Sequence, residues 1–520
     1  MKTSIMKNLY FKIIFAGLLI VGCTQDDQDD DQINVVNTPE EVNTEVNTEI
    51  NDFIWKGLNQ WYYWQKDVTN LADTKADDAA AYKAYLSSLD QGKPFFNSLI
   101  FGADRFSWIE EDYAVLENQL SGISASNGMK FILYRRCDGC DGLIGAVTYV
   151  LPNSDAAQKG IIRGDVFNSV NGQELTLDNY ASLIYSDAMS YSIDLVNYDA
   201  SLDEISPRNI SITLNKEENF QEVPIHKNQV IEHNGIRVGY LMYNKFVGTV
   251  DIDGDGVNEH DFNQALIDAF IELKNQNITE LVLDLRYNGG GSVQTCTYLA
   301  SLITGQFTGE VFAQQIWNSK IMDYINSVNT NSNPDDDLDF NNYFVDQTSS
   351  GVSLSSLGLT KVYILTSSRS ASASELLING LSSKINVVQI GESTTGKNVG
   401  SITLYDYVDN NNEVRNPNHK YAMQPIVLKI ANSEGFADYT DGLVPKSEDL
   451  IIRERVSSYD VLGSPTEPLL EAALNHISGG GSAKGLSKNE PLLETVLDID
   501  IAKEQRMFID FPRVAIKELN

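Results

Sequence analysis

Positive charge is scarce in this chain. Its 520 residues carry 38 lysines and arginines against 72 aspartates and glutamates, a net charge of −34. A surface of that sign repels phosphate backbones and anionic headgroups, which excludes nucleic acid and an electrostatically held lipid surface as partners. Histidine is scarce too. The five residues His226, His233, His260, His419 and His476 all lie outside the loops considered below, so a Ser-His-Asp triad has no support. Long apolar runs are missing, apart from the ten residues "IIFAGLLIVG" (Ile13–Gly22), which are too few to span a bilayer. Cysteines number four: Cys23, Cys137, Cys140 and Cys296.

The short apolar run follows "MKTSIMKNLYFK", with its three lysines, and together they read as a signal peptide over residues 1–22. The run ends in Ile20-Val21-Gly22-Cys23, which resembles a bacterial lipobox and implies cleavage before Cys23 and lipidation of its thiol. Thr24 after the cysteine resembles outer-membrane sorting. The acidic run Asp26–Asp31 resembles the tethers of surface lipoproteins, although a solvated linker fits it as well. The expected location is the cell envelope, at the outer membrane, on its periplasmic face or the cell surface, with residues 23–48 as an acidic tether. Outside the cytoplasm the default for the "CDGC" pair, Cys137 and Cys140, is a local disulfide. A redox motif would start a helix in a βαβ unit and zinc would need two further ligands nearby; neither context is present. Cys296 reads as core.

This length predicts two to four domains, and 42% hydrophobic residues make most of the chain globular. Ile50, Phe53, Ile54, Leu58, Trp61 and Tyr62 fall at helical spacing, and "DDAAAYKAYLSSL" predicts a second helix, so residues 49–118 read as a small helical domain. Over residues 119–215 the pattern changes to short strands. "AVTYVL" is strand-like, "SDAAQKG" is a short helix capped by Ser154 and stopped by Gly160, and Asn171-Gly172 is a hairpin turn. This succession resembles a PDZ domain, in which an extended peptide adds to a sheet edge and its carboxylate meets a nest of N–H groups. "GLIG" (Gly142–Gly145) is the nearest match to that nest. The other reading is a small β-domain with a blocked groove. Over residues 216–470 apolar strands alternate with helices, which predicts an α/β core with a parallel-rich sheet. Residues 471–520 form a tail with no assigned role.

Three loops follow three of those strands: "NGGGS" (Asn288–Ser292), "SRSAS" (Ser368–Ser372) and "TTGK" (Thr394–Lys397). Sites form at such carboxyl ends. The first loop offers bare backbone N–H groups, the second offers hydroxyls at a helix start, where the dipole favours negative charge, and the third offers an amine. Together these are an acyl-transfer set. Each also has a plain reading, since Ser372 and Glu375 fit a capping box and "NGGG" suits a tight turn.

"LVLDLRYNGGGS", "SRSASASELLINGL" and "GESTTGK" closely resemble the C-terminal processing peptidases, or tail-specific proteases, over roughly residues 50–470 in order. The resemblance implies a helical N-terminal segment, a PDZ domain and an α/β core that uses a Ser-Lys dyad. In that family the nucleophile is the serine of "SASE", 25 residues before the lysine, which here selects Ser372 and pairs it with Lys397. The resemblance implies that Ala373 N–H, with that of Gly290 or Gly291, holds the oxyanion, and that Glu375 is structural. Free lysine titrates at about 10.4, so a base working near neutrality needs burial with few charged neighbours. The implied activity is that of an extracytoplasmic serine endopeptidase acting on proteins or peptides, with PDZ-like recognition of substrate C-termini.

Three positions depart from the family pattern. Ser401 stands where many members carry Gln, Ser383 where some carry Asp, and Asn398 where Gly is common. These departures leave room for a non-catalytic peptide- or nutrient-binding surface lipoprotein. No cofactor is required. "DIDGDG" resembles a structural calcium loop through Asp251, Asp253 and Asp255, but its twelfth position is Phe262 rather than Glu, and a solvated acidic turn fits equally.

Overall fold

The computed structural model describes residues 48–137, 139–199, 204–251, 258–331, 337–409, 413–480, 493–496 and 505–509. The signal peptide, Cys23, the tether up to residue 47, Asp253 and Asp255 lie outside these residues.

Five strands form a central sheet in the order Ile225–His233, Ile236–Tyr243, Glu280–Asp284, Lys361–Thr366, Asn386–Gly391. The first pair is an antiparallel hairpin and the other three pairings are parallel. Parallel neighbours need crossovers, and the helices Phe262–Asn275, Val293–Thr304 and Ala373–Ser382 lie in them. Successive strand residues point to opposite faces. Leu241, Leu283 and Ile364 enter one apolar layer with Leu266, Phe270, Leu299 and Leu377 of those helices. Tyr240, Val282, Tyr363 and Leu365 enter a second layer, closed by Leu469, Leu470 and Ala473 of the helix Pro468–Ile477. Cover on both faces explains why "LVLDL" is apolar without alternation. Each wholly buried Leu or Val there contributes about 1.5–3 kcal/mol.

A second, six-stranded sheet runs Gly290–Ser292, Arg506–Phe508, Val399–Ser401, Ile426–Asn432, Val311–Trp317, Asn342–Tyr343. Gly290–Ser292 follows the central strand Glu280–Asp284, and Val399–Ser401 follows Asn386–Gly391. Two of the three candidate loops are therefore passages from one sheet to the other, anchored at both ends.

The helix Glu49–Trp61 buries Phe53, Ile54, Trp55, Leu58 and Trp61 on one face. With Leu71, Phe95 and Phe96 they run without a break into the first apolar layer of the central sheet. Burial of this kind ties the helical segment to the α/β core.

An antiparallel sheet orders Met129–Arg135, Leu143–Val150, Val166–Val170, Ser190–Asp199 and Glu204–Asn215 over its own core of Leu133, Val147, Phe167, Ile193 and Leu214. Ser154 caps the helix Asp155–Gln158 by accepting the Ala157 N–H at 3.2 Å, and Asn171 and Gly172 turn the hairpin with φ of 52° and 72°. The expected nest at Gly142–Gly145 is not there. Leu143 N–H donates to Leu175 O at 2.8 Å and Gly145 pairs with both Leu133 and Phe167, so these amides belong to the sheet. Cys137 and Cys140 form a disulfide just beyond Arg135.

Candidate active site

The strand Lys361–Thr366 leads through "SSRSAS" into the helix Ala373–Ser382. The five serines between Ser367 and Ser374 are used differently. Ser368 is exposed. Ser367 Oγ donates to Arg286 O, Ser370 Oγ to Leu285 O at 2.8 Å, and Ser374 Oγ to Asn288 O at 2.9 Å. These three stitch the turn to the neighbouring strand end. Ser372 is wholly buried and its Oγ has no partner, a state that costs about 1–3 kcal/mol. Its backbone sits at φ 66°, ψ −116°, where a side chain is strained by about 1–3 kcal/mol. The Ser372 N–H donates to Glu375 Oε2 at 2.7 Å, so the carboxylate half of the expected capping box forms while the hydroxyl stays outside it.

Asn288 fixes the glycine loop. Its Nδ2 donates to Tyr243 O and its Oδ1 accepts the Gly290 N–H, both at 2.8 Å, while its own carbonyl accepts the Ala371 N–H at 3.1 Å. Gly290 and Gly291 have φ of 107° and 139°. A Cβ at Gly290 would lie 2.6 Å from Ser372 Cβ and 2.9 Å from Ala373 N, and one at Gly291 would lie 2.0 Å from Phe246 O. Glycine is required at Gly290 because the loop rests on the serine turn, and at Gly291 because it rests on the backbone of Phe246. The fold thus brings Gly290, Gly291, Ser372 and Ala373 together, with the Gly290 N–H already committed to Asn288.

The third loop is tied to the second by one carboxylate. Glu375 accepts Thr394 Oγ1 at 2.5 Å, Gly396 N–H at 2.6 Å and Lys397 N–H at 2.8 Å, in addition to the Ser372 N–H. Burial raises the Glu375 pKa, and these donors pull against it. The Lys397 side chain is buried, with Nζ 4.8 Å from the Phe106 ring centroid. Burial, and then Arg506, lowers its pKa to about 7, against opposing pulls from Asp104 and Glu375. Near neutrality much of it is therefore free amine. Its Nζ donates to Gln505 O at 2.7 Å, and Ser372 Oγ is hydrogen-bonded to no group.

Sequence reasoning did not single out Asn288, Phe106, Thr394 or Gln505 as individual contributors. Asn288 and Thr394 lay inside loops already marked, whereas nothing local in the sequence signals Phe106 or Gln505. Ser401 Oγ donates to Met507 O at 3.0 Å, and Ser383 caps the far end of the helix that Ser372 begins. Cys296 is buried with its Sγ on Ala373 O at 3.2 Å. Asp261 caps the helix Phe262–Asn275 through the Gln264 N–H at 2.9 Å, and among the described residues no group of three His, Cys, Asp or Glu is placed to hold a metal.

A second buried cation flanks the glycine loop. Arg286 is bonded to Asp284, Glu454 and Glu467 at 2.5–3.0 Å. Arg163, from the antiparallel sheet's domain, reaches the same cluster through Glu454 at 2.5 Å and Tyr287 OH at 2.7 Å.

Residues 237–424 match peptidase family S41, and residues 49–108 match the peptidase S41 N-terminal domain. Two models of the S41 peptidases thus match the chain, one on the α/β core and one on the helical N-terminal segment. Among solved structures, a candidate S41 protease from Bacteroides fragilis NCTC 9343 aligns over 82% of this chain and 97% of its own, at 24% identity and a TM-score of 0.61. The photosystem II D1 C-terminal processing protease aligns over 82% of this chain and 98% of its own, at 16% identity and a TM-score of 0.44. No curated protein matches the chain. The S41 match implies a serine-type peptidase with protein or peptide substrates. The Bacteroides likeness bears on the fold alone, an α/β core with a helical N-terminal region.

Proposed function

We propose that this chain is an endopeptidase in which Ser372 is the nucleophile and Lys397 its base. The observation that carries the reading is one buried, unpartnered hydroxyl and one buried amine lowered to about 7, their backbones fixed to each other through Glu375. As Oγ adds to the substrate carbonyl, the neutral Nζ takes its proton. The carbonyl oxygen gains the charge and is met by the Ala373 N–H and, since Asn288 holds the Gly290 N–H, by the Gly291 N–H, at the positive end of a helix. The lysine returns the proton to the leaving amine, and a water activated by the same amine hydrolyses the acyl ester. On this reading the antiparallel domain is PDZ-like and receives the C-terminal strand of a substrate on a sheet edge. Lipidation at Cys23 holds the enzyme in the cell envelope at the outer membrane, and calcium at Asp251, Asp253 and Asp255 is structural only.

The test is hydrolysis of an unfolded protein by the chain from Thr24 onward. Ser372→Ala and Lys397→Ala should each lower the rate about 10⁴-fold or more, with Ser368→Ala unchanged. Equal cleavage by the Ser372→Ala chain would remove the dyad. Peptide binding with no hydrolysis by any form would leave the non-catalytic peptide-binding reading.

A further inference from the structure

The C-terminal tail returns to the protein at two places, and both are surfaces that accept an extended peptide. The first is the cleft between the dyad and the glycine loop. Arg506–Phe508 pairs in parallel with Gly290–Ser292, and Phe508 also pairs with Ser401. Arg506 N–H donates to Gly289 O at 2.9 Å, Ile509 N–H to Ser401 O at 3.0 Å, and Gln505 Nε2 to Thr395 Oγ1 at 3.0 Å. Met507 is wholly buried. The point where a Gly290 Cβ would sit is 2.2 Å from Arg506 O, 2.6 Å from Ser372 Cβ and 2.9 Å from Ala373 N. A carbonyl of the tail thus stands against the serine turn.

The second place is the edge strand Met129–Arg135 of the antiparallel sheet, which has a single neighbour within that sheet. Thr495 pairs antiparallel with Tyr134. Arg135 N–H donates to Glu494 O at 2.8 Å and Val496 N–H to Leu133 O at 2.9 Å, and Arg135 Nε meets the Glu494 carboxylate at 2.9 Å. Val496 enters the domain's own core. This is strand addition to an open edge.

We propose that the segments 493–496 and 505–509 are a resident peptide ligand of the enzyme, filling the edge strand and the cleft together, which a substrate must displace before Ser372 and Lys397 can act. The cleft half rests on the peptidase reading above. A strand slot whose backbone groups are paired cannot take a second strand, and Nζ donates to Gln505 O while Ser372 Oγ is left without its base. The ligand class is an extended peptide with an apolar side chain at the place of Met507. Tethering gives such a ligand an effective concentration on the order of 1 mM, so an intrinsic Kd of about 0.1 mM would weaken competing peptides about tenfold.

The test separates occupancy from catalysis. A labelled synthetic peptide of residues 493–509 is titrated into the chain carrying Ser372→Ala, with and without Val496→Asp and Met507→Asp in its own tail. The peptide should bind about tenfold more tightly to the chain with the altered tail, and in the Ser372 background the same two substitutions should raise hydrolysis of an unfolded protein about tenfold. Where the altered tail disturbs folding, the Ser372→Ala chain with its natural tail serves instead, because a saturating unfolded substrate should speed deuterium uptake at residues 505–509. Tighter peptide binding without hydrolysis by any form would uphold the resident ligand and sink the peptidase reading. No gain in peptide affinity by a folded double variant, unchanged uptake at 505–509, or a folded double variant that hydrolyses more slowly would each overturn the inference and make the tail a fixed part of the sheet.

Discussion

Two cations are buried near the same strand ends, in opposite surroundings. Arg286 meets three carboxylates, Asp284, Glu454 and Glu467. Burial disfavours its charge, yet those carboxylates raise its pKa well above the ordinary value. Lys397 is just as deeply buried but faces an aromatic ring and a carbonyl, and burial followed by Arg506 takes it down to about 7. Burial alone therefore does not decide what a buried cation becomes. Strong compensation keeps Arg286 charged in an ion cluster, and weaker compensation leaves much of Lys397 as free amine near neutrality.

The strongest way to break that contrast is to remove each cation in turn. Lys397→Met should lower kcat/KM about 10⁴-fold or more while raising stability. The sign follows from linkage. The folded pKa lies below the unfolded value of about 10.4, so folding expels a proton at neutral pH and costs on the order of 4 kcal/mol there, less as the pH rises toward 10. Urea unfolding should show a gain for Lys397→Met at pH 7 that shrinks at pH 9.5. A loss of stability at pH 7 would mean that the lysine is compensated after all. Arg286→Met should do the reverse, losing about 3–5 kcal/mol because three buried carboxylates are left facing one another. Its urea midpoint should therefore drop where that of Lys397→Met rises.

A gentler change gives Lys397 what Arg286 already has. Phe106 is half-buried with its ring centroid 4.8 Å from Nζ, so Phe106→Glu sets a carboxylate beside the amine. The base must be neutral, so kcat/KM should fall about tenfold per pH unit below the Lys397 pKa and level off above it. That limb should begin at about 7 or somewhat higher, because Arg506, which pushes the pKa down, leaves with the tail. With Phe106→Glu it should move up by about 1 pH unit or more. An unmoved limb in pH–rate profiles of the two chains would show that a different group titrates.

The same contrast explains what could be read from sequence. The loops were legible because each follows an apolar run at a strand end, and the apolar face of Glu49–Trp61 because its period is local. The use of each serine was not legible. Ser367, Ser370 and Ser374 are spent on Arg286, Leu285 and Asn288, more than eighty positions away, and only such distant partners set Ser372 apart. The compensation of Arg286 by Glu454 and Glu467 is more distant still, across 168 and 181 positions. "GLIG" misled for the opposite reason: its local glycine pattern suggested open amides, while pairing with Leu133 and Phe167 had used them. The three-residue strand Arg506–Phe508 is too short to show any period, and its partner lies at Gly290–Ser292.

The smallest effect sets one serine against another. Ser370 Oγ donates to Leu285 O at 2.8 Å and accepts the Ser367 N–H at 3.0 Å; Leu285 O keeps the Asn288 N–H at 2.9 Å, so Ser370→Ala strands one buried backbone group, the Ser367 N–H, and should cost about 1–2 kcal/mol. Ser372 Oγ strands nothing when it is removed. Ser372→Ala should be neutral or stabilising by up to about 1 kcal/mol, since alanine keeps the Cβ and with it the strain at φ 66°. Ser372→Gly should release that strain and add roughly a further 1 kcal/mol, less the entropy that glycine brings to the unfolded chain. Urea melts of the three variants order them directly. If Ser372→Ala loses as much as Ser370→Ala, its hydroxyl has a partner, and the hydroxyl assigned to attack is no freer than those that only shape the turn.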